Sequence, residues 1–313
     1  MIEASAAGKV ILFGEHAVVY GRPALAAPVT HLRARATIQE TGEPDVALVA
    51  PDLNRSALLS AVHPDNPLAA VVRVVERHWN CSLSDGYTLS VTSAIPIASG
   101  LGSGAAISVA VIRALAIYTG REDMVSREEV SGLAYEVERL HHGTPSGVDN
   151  TVIAYEQPVY FVRREPRPVI EPFTTARPIR LVIGDTGVRS GTKDVVGDVR
   201  RRWAADRRRF EAIFDACGRL AEAGRVALAA GDLAAVGELM NENQEWLRQM
   251  TVSSDKLDRL VAAAREAGAL GAKLSGAGRG GNMIALVTSD TEERVTAGLA
   301  AAGAVRVFRS DVG

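Results

Sequence analysis

Residues 96–110 read PIASGLGSGAAISVA. Within them, Gly100-Leu101-Gly102-Ser103-Gly104-Ala105 formally satisfies the dinucleotide fingerprint G-x-G-x-x-G/A. The P-loop is excluded, because no Gly-Lys-Ser/Thr follows. A dinucleotide loop leaves a buried parallel strand directly, and an acidic residue ends a second strand about 20 positions on. Here the preceding GYTLSVTSAI (86–95) alternates polar and apolar, and Pro96 separates it from the glycines. The acidic pair at the expected distance, Glu122 and Asp123, lies in REDMVSREEV, a polar connection into a capped helix. The fingerprint match is therefore accidental. What survives is an anion cradle: glycines admit backbone N–H groups close to an anion, Ser103 adds a hydroxyl, and a helix starting near Gly104 turns its positive end to the same place. Taken alone, the stretch reads sooner as an ordinary loop-to-helix turn, so its neighbours must decide.

The rest of the chain narrows the choice. Its 313 residues are long for one domain and comfortable for two. A hydrophobic fraction of 47% with 23% charged residues is that of a soluble globular protein, and 5% aromatic residues make the core mainly aliphatic. The net charge of −2 offers no general attraction to nucleic acid or anionic membrane, so neither is expected as a partner. Cys81 and Cys217 form neither a disulfide framework nor a metal knuckle. With no basic-then-apolar leader and no apolar run of about 18 residues, the expected location is the cytoplasm. Arginine outnumbers lysine so strongly that the four lysines, Lys9, Lys193, Lys256 and Lys273, each invite inspection.

Along the chain, KVILFG, PALAAPV and LRARATIQE read as strands, 66–79 as a helix and 86–95 as a strand. Ser126 opens S-x-x-E, a capping-box start for a helix reaching about Leu140. Residues 151–163 and 179–185 read as strands. From about Lys193 to Ala267 the text is helix-forming, with breaks expected near Gly218, Gly231 and Thr251. The end returns to strand, helix, strand, through AKLSGAG, NMIALV, TEERVTAGLAAAG and AVRVFRS. The proline- and charge-rich RREPRPVIEPFTTARP sets a domain boundary near Arg177, giving domains 1–177 and 178–313.

Three segments occur in a telling order: KVILFGEHAVVYG, IPIASGLGSGAA and KLSGAGRGGNM. They resemble the motifs of the GHMP kinase superfamily. GEHAVVYG, HHGTPSGVDNTV (141–152) and IGDTGVRSGTKDVVGDVR (183–200) are similar to the mevalonate kinase branch, particularly its shorter archaeal and bacterial forms. The resemblance spans essentially the whole chain. It implies an α+β, two-domain fold: an N-terminal ribosomal-S5-like ATP-binding domain, a C-terminal ferredoxin-like domain, and an active site in the cleft between them. It further implies ATP and Mg²⁺ as cofactors, a homodimer, and phosphorylation of the C5 hydroxyl of (R)-mevalonate in isoprenoid biosynthesis.

The resemblance carries over residue by residue. It makes Asp149 the carboxylate that accepts the hydroxyl proton; without it, Asp149 reads as an Asx-turn residue. Lys9, otherwise a snorkelling strand residue, pairs with that aspartate and favours deprotonation. The phosphates fall to the 96–106 loop: Pro96, Ser99, Gly100, Leu101, Gly102, Ser103, Gly104 and Ala105. Glu138, 11 residues before Asp149, corresponds to the Mg²⁺ ligand, against the alternative of a solvated carboxylate paired with Arg139. Glu15, His16 and Thr192 fall to the substrate, although a lone histidine commonly just satisfies a turn. His141 and His142 read as structural.

Two positions depart from the pattern. Gly104 replaces the second serine of G-L-G-S-S-A, leaving Ser103 or a water to complete the metal shell. Arg279 stands where G-A-G-G-G-G has glycine, and either meets a phosphate or points to solvent. The arginine runs 200–202 and 207–209, with Asp198, Asp206 and Glu211 beside them, read as a solvated helical face. Competing functions are phosphomevalonate or homoserine kinase, a catalytically silent relative that regulates a partner, and a nicotinamide dehydrogenase.

Overall fold

A computed structural model of the chain describes residues 1–63, 65–84, 86–96, 99–142 and 145–312. Positions 97–98 of the glycine loop and 143–144 of the 141–152 segment lie outside the described residues. The chain divides into two compact units, one formed by residues 1–8, 32–97 and 102–156, the other by 9–31, 98–101 and 157–313. Two long strands, β1 (Ile2–Phe13) and β2 (Pro23–Glu40), contribute to both.

In the first unit, the later part of β2 joins β3 (Ala47–Ala50), β4 (Arg55–Leu58) and β5 (Tyr87–Ser93) in the order β4-β3-β5-β2. Strands β2 and β5 are antiparallel, with Ala36 opposite Val91 and Ile38 opposite Leu89, so the apolar alternation of both strands meets on one face. The helices are α1 (Pro67–Trp79), α2 (Ser103–Tyr118), α3 (Arg127–His142) and α4 (Val148–Tyr155). Helix α1 starts because the Asn66 side chain accepts from the N–H groups of Leu68 and Ala69, at 3.0 and 3.2 Å, with Pro67 at the first position. Helix α3 starts at the expected cap: Ser126 Oγ accepts from the Glu129 N–H at 3.1 Å. The Glu129 carboxylate does not close the box and accepts instead from the Trp79 indole at 2.9 Å.

In the second unit, β6 (Val159–Val162) pairs antiparallel with the start of β2 and with β7 (Val169–Pro172). After β8 (Ile179–Asp185) come α5 (Thr192–Ala205), α6 (Arg207–Ala230), α7 (Leu233–Gln249) and α8 (Asp255–Glu266). The chain closes with β9 (Gly271–Ser275), β10 (Asn282–Val287), α9 (Glu292–Ala301) and β11 (Arg306–Val312). Strands β11-β8-β10-β9 form an antiparallel sheet. Its buried face, with Val182, Leu274 and Ala285, packs against Phe210, Phe214, Leu247, Leu260 and Leu299 from the helices. Each large side chain contributes about 1.5–3 kcal/mol by leaving water.

Two expectations need correction. Residues 151–155 are the last turns of α4 rather than strand, although TVIAY favours β locally. Their backbone is helical because Gly147 opens the helix at φ 90°, and Thr151 Oγ1 donates back to the Gly147 carbonyl at 2.7 Å. Gly218 does not break α6. A Cβ there would stand 3.1–3.2 Å from the Arg22 side chain, a tight contact that favours the small residue. The first break in the helical block falls instead at Asp206, whose side chain caps α6 through the Arg209 N–H at 3.2 Å.

Candidate active site

Strand β1 leads Lys9, 2% exposed, to the turn Gly14-Glu15-His16 in the second unit. Gly14 takes φ 92°, and a Cβ on it would stand 2.4 Å from the Pro23 carbonyl oxygen, so no other residue fits. His16 also has a positive φ of 59° and is 6% exposed. Its Nε2 lies 2.9 Å from the Ala277 carbonyl. A carbonyl only accepts, so Nε2 carries the proton and Nδ1 the lone pair. Burial, reinforced by the charge of Arg279 and opposed by that hydrogen bond, lowers the imidazole to about 4. The ring is therefore neutral at physiological pH.

Glu15 is 1% exposed, and its Oε1 is ion-paired with Lys273, which is itself fully buried and also donates to the Leu274 carbonyl at 2.7 Å. Burial pushes the Glu15 carboxyl up and the Lys273 amine down, and each partner opposes the other's shift. Cys217 lies in the same buried environment with its thiol pushed up to about 12, which makes it no nucleophile at neutral pH.

The beginning of the glycine loop belongs to this unit. Leu101 accepts from the Lys9 N–H at 2.9 Å, and the Ser99 carbonyl accepts from Asn282 Nδ2 at 2.6 Å. Gly100 is exposed, with φ 88°. Thr192 is exposed at the first position of α5, preceded by Ser190, whose hydroxyl donates to Gly278 at 2.7 Å.

In the first unit, Gly102 caps α2 at φ 76° without a side-chain hydrogen bond, so the first-turn N–H groups keep their capacity for an anion. Ser103 is half-buried, Gly104 exposed and Ala105 buried; Pro96, before the loop, is buried. A Cβ on Gly104 would stand 3.5 Å from Glu138 Oε1, which puts the α3 carboxylate over the start of α2. Asp149, expected in a loop, sits half-buried in the first turn of α4. The next residue, Asn150, donates from Nδ2 to the Ser131 carbonyl and hydroxyl at 3.0 and 2.9 Å, which pins the start of α4 to α3.

Among the described residues no group of three or more His, Cys, Asp and Glu side chains could hold a metal. Mg²⁺ takes one or two carboxylates, keeps several waters and finds further oxygens on phosphates. Glu138, with the Ser103 hydroxyl one residue before Gly104, is such a donor set.

Arg279 is engaged within the protein. Its guanidinium pairs with Asp198 of α5 and donates from Nε to the Thr251 carbonyl at 3.1 Å. Asp198 also binds Arg202 at 2.8 Å and is held below the usual carboxylate range by Arg202 and Arg279. Of the supporting residues, the sequence marks only Lys273, as one of four lysines that invite inspection and without a role; Ser275 and Asn282 carry no such mark.

The family model for the GHMP kinases N terminal domain matches residues 66–157, and the GHMP kinases C terminal model matches 225–305. The mevalonate kinase of Pyrococcus horikoshii is 37% identical, with 98% of this chain and 94% of that protein aligned. The crystal structure of L. major mevalonate kinase in complex with R-mevalonate superposes with a TM-score of 0.86 at 32% identity, over 100% of this chain and 96% of the other. The Methanococcus jannaschii mevalonate kinase gives 0.85 at 28% identity, over 99% and 98%. Sequence and fold agree over almost the full length, and the chain belongs to the mevalonate kinase family of the GHMP kinases.

Proposed function

We propose that the protein transfers the γ-phosphoryl group of ATP to the C5 hydroxyl of (R)-mevalonate, giving 5-phosphomevalonate and ADP for isoprenoid biosynthesis. One observation supports this above the others: nearly full-length identity of 37% to a mevalonate kinase, with the Glu138 carboxylate held over the uncapped start of α2. Phosphoryl transfer asks the protein mainly for positioning and charge stabilisation. The N–H groups that open α2, with Ser99 to Ala105 before and within it, hold the triphosphate. Asp149 takes the proton of the acceptor hydroxyl, and Lys9 stabilises the oxygen as it becomes anionic. Glu138 and Ser103 would hold Mg²⁺, which when bound neutralises charge on the phosphates. His16, neutral with Nδ1 as an acceptor, and Thr192 contact mevalonate, while Glu15 backs the turn from inside.

The family domains divide at 1–177 and 178–313 in this reading; the two family-model matches fall on either side of that boundary. No described helix is long and apolar enough to cross a membrane. A cytoplasmic homodimer completes the reading. The test is ADP release from ATP and Mg²⁺ with mevalonate, 5-phosphomevalonate, homoserine or galactose. Turnover with mevalonate alone is expected, and turnover with a different acceptor would overturn the substrate assignment.

A further inference from the structure

The side chains of the turn that carries His16 are held by the end of β9 and the residues just after it. Lys273 holds Glu15 by a buried ion pair, and Ala277 accepts from the His16 ring at 2.9 Å. Between them, Ser275 serves both polar groups of one β1 residue: its Oγ accepts from the Ile11 N–H at 2.9 Å and donates to the Ile11 carbonyl at 3.1 Å. Every second residue from 273 to 277 thus fastens the segment 11–16, across more than 250 positions of sequence. Lys273 and Ser275 lie on the same face of β9 by the strand's period of two.

The chemistry of this grip is unusual for a mere packing contact. A charged pair with both side chains fully buried gains little stability over apolar residues of similar volume, while it fixes orientation through a directional contact. The second oxygen, Glu15 Oε2, is buried with no hydrogen-bond partner among the described residues, and Lys273 is the ion-pair partner of the carboxylate. The backbone of the turn Gly14-Glu15-His16, with positive φ at Gly14 and His16, is tied to the 3-10 turn that follows by the Val18 N–H to the Gly14 carbonyl at 3.1 Å and the Val19 N–H to the His16 carbonyl at 3.0 Å, while its two buried side chains are fixed from β9 and Ala277.

We propose that the end of β9, through Lys273 above all, positions the Glu15–His16 turn for the acceptor substrate, so that Lys273 governs mevalonate affinity without touching mevalonate. This rests on the mevalonate kinase reading. Glu15 is then a support for the turn, and its loss acts through His16.

The test uses the full-length enzyme with Lys273→Met, the neutral double variant Glu15→Gln/Lys273→Met, and the milder Ser275→Ala. Lys273→Met is expected to raise KM for mevalonate about tenfold or more while leaving KM for ATP within about twofold. The double variant removes the unpaired charge, so its melting temperature recovers, but its KM for mevalonate stays high. Ser275→Ala keeps the pair and raises KM for mevalonate about threefold. A double variant with wild-type KM for mevalonate would reduce the pair to a structural role and overturn the proposal, as would an unchanged KM in a folded Lys273→Met. A second readout needs no turnover. The His16 imidazole, titrated by NMR, is expected to move from about 4 toward the ordinary 6.5 when Lys273 is lost, and a midpoint that stays put refutes the grip. Wild-type enzyme silent with mevalonate would instead sink the functional reading, and the NMR titration would still decide what Lys273 holds.

Discussion

Position 104 offers a three-member series in which stability and metal dependence should move independently. Gly104 is exposed in the first turn of α2, and an added Cβ would meet Glu138 Oε1 at 3.5 Å, an ordinary van der Waals contact. Neither alanine nor serine is therefore sterically excluded. Both relieve the entropic cost of helical glycine, by up to about 1 kcal/mol for alanine and about 0.5 kcal/mol for serine. In a chain of this size that raises the melting temperature by about 1–3 °C.

Metal dependence should split the two. Alanine puts a methyl group against Glu138 and takes away room for water beside the proposed Mg²⁺ ligand; serine puts a hydroxyl beside that carboxylate, an oxygen donor of the kind Mg²⁺ would take. Losing or gaining one oxygen contact to a charged centre is worth about 1 kcal/mol, or about fivefold in the half-saturating Mg²⁺ concentration. The assay is initial rate against free Mg²⁺ at saturating ATP and mevalonate, beside a thermal melt of each variant. The expected order of Mg²⁺ requirement is alanine above glycine above serine, with both variants at least as stable as the parent. If alanine and serine shift the Mg²⁺ requirement in the same direction, or neither shifts it, then Glu138 does not hold the metal beside position 104.

Asp149→Asn keeps the shape of the first turn of α4 and removes the base; kcat should fall by about three orders of magnitude or more with ATP binding nearly intact, and near-normal turnover would end its role. Arg279→Gly should leave KM for ATP within about twofold, because the guanidinium is engaged by Asp198 and the Thr251 carbonyl; a rise of about tenfold would mean that it reaches a phosphate. His16 is lowered from 6.5 to about 4, so unfolded chains bind its proton first as pH falls. Its stabilising contribution is complete above pH 6.5 and drains away down to about pH 4. Between pH 7 and pH 5 the loss is about 2 kcal/mol, and urea melts should show it in the parent and not in His16→Asn, which tolerates the positive φ.

The elements legible in the sequence are those whose causes are local. Asn66 and Ser126 cap their helices with their own side chains, and the polar–apolar alternation of 87–93 lies where one face of β5 is buried. The closing order of strand, strand, helix and strand from Gly271 onward likewise follows from runs bounded by glycine turns. The failures are cases where a distant partner outweighs local preference. TVIAY reads as strand until Gly147 and the buried Ser131–Asn150 contact make it a helix. Gly218 reads as a helix end, whereas it lies inside α6 packed closely against Arg22, almost 200 positions earlier.

The candidate site divides along the same line. Its motif residues, Lys9, Glu15, His16, Ser103, Glu138, Asp149 and Thr192, stand out because chemistry demands their side-chain types and the family resemblance names their positions. What holds them does not stand out, since a supporting residue is defined by its partner. Lys273 alone is an odd lysine in an apolar strand; only beside Glu15 does it become half of a buried ion pair. Asn282 is an ordinary strand terminus until its amide meets the Ser99 carbonyl at 2.6 Å. Asn150, adjacent to Asp149 in the chain, acts through Ser131 on a different helix. Such residues carry no charge relay and touch no substrate, yet they decide whether the reactive groups are held to the fraction of an ångström that phosphoryl transfer needs. The C-terminal glycine-rich motif backs the Glu15–His16 turn and the end of β1: Lys273 pairs with Glu15, Ala277 accepts from His16, Ser275 holds Ile11, and the Arg279 guanidinium reaches Asp198 of α5.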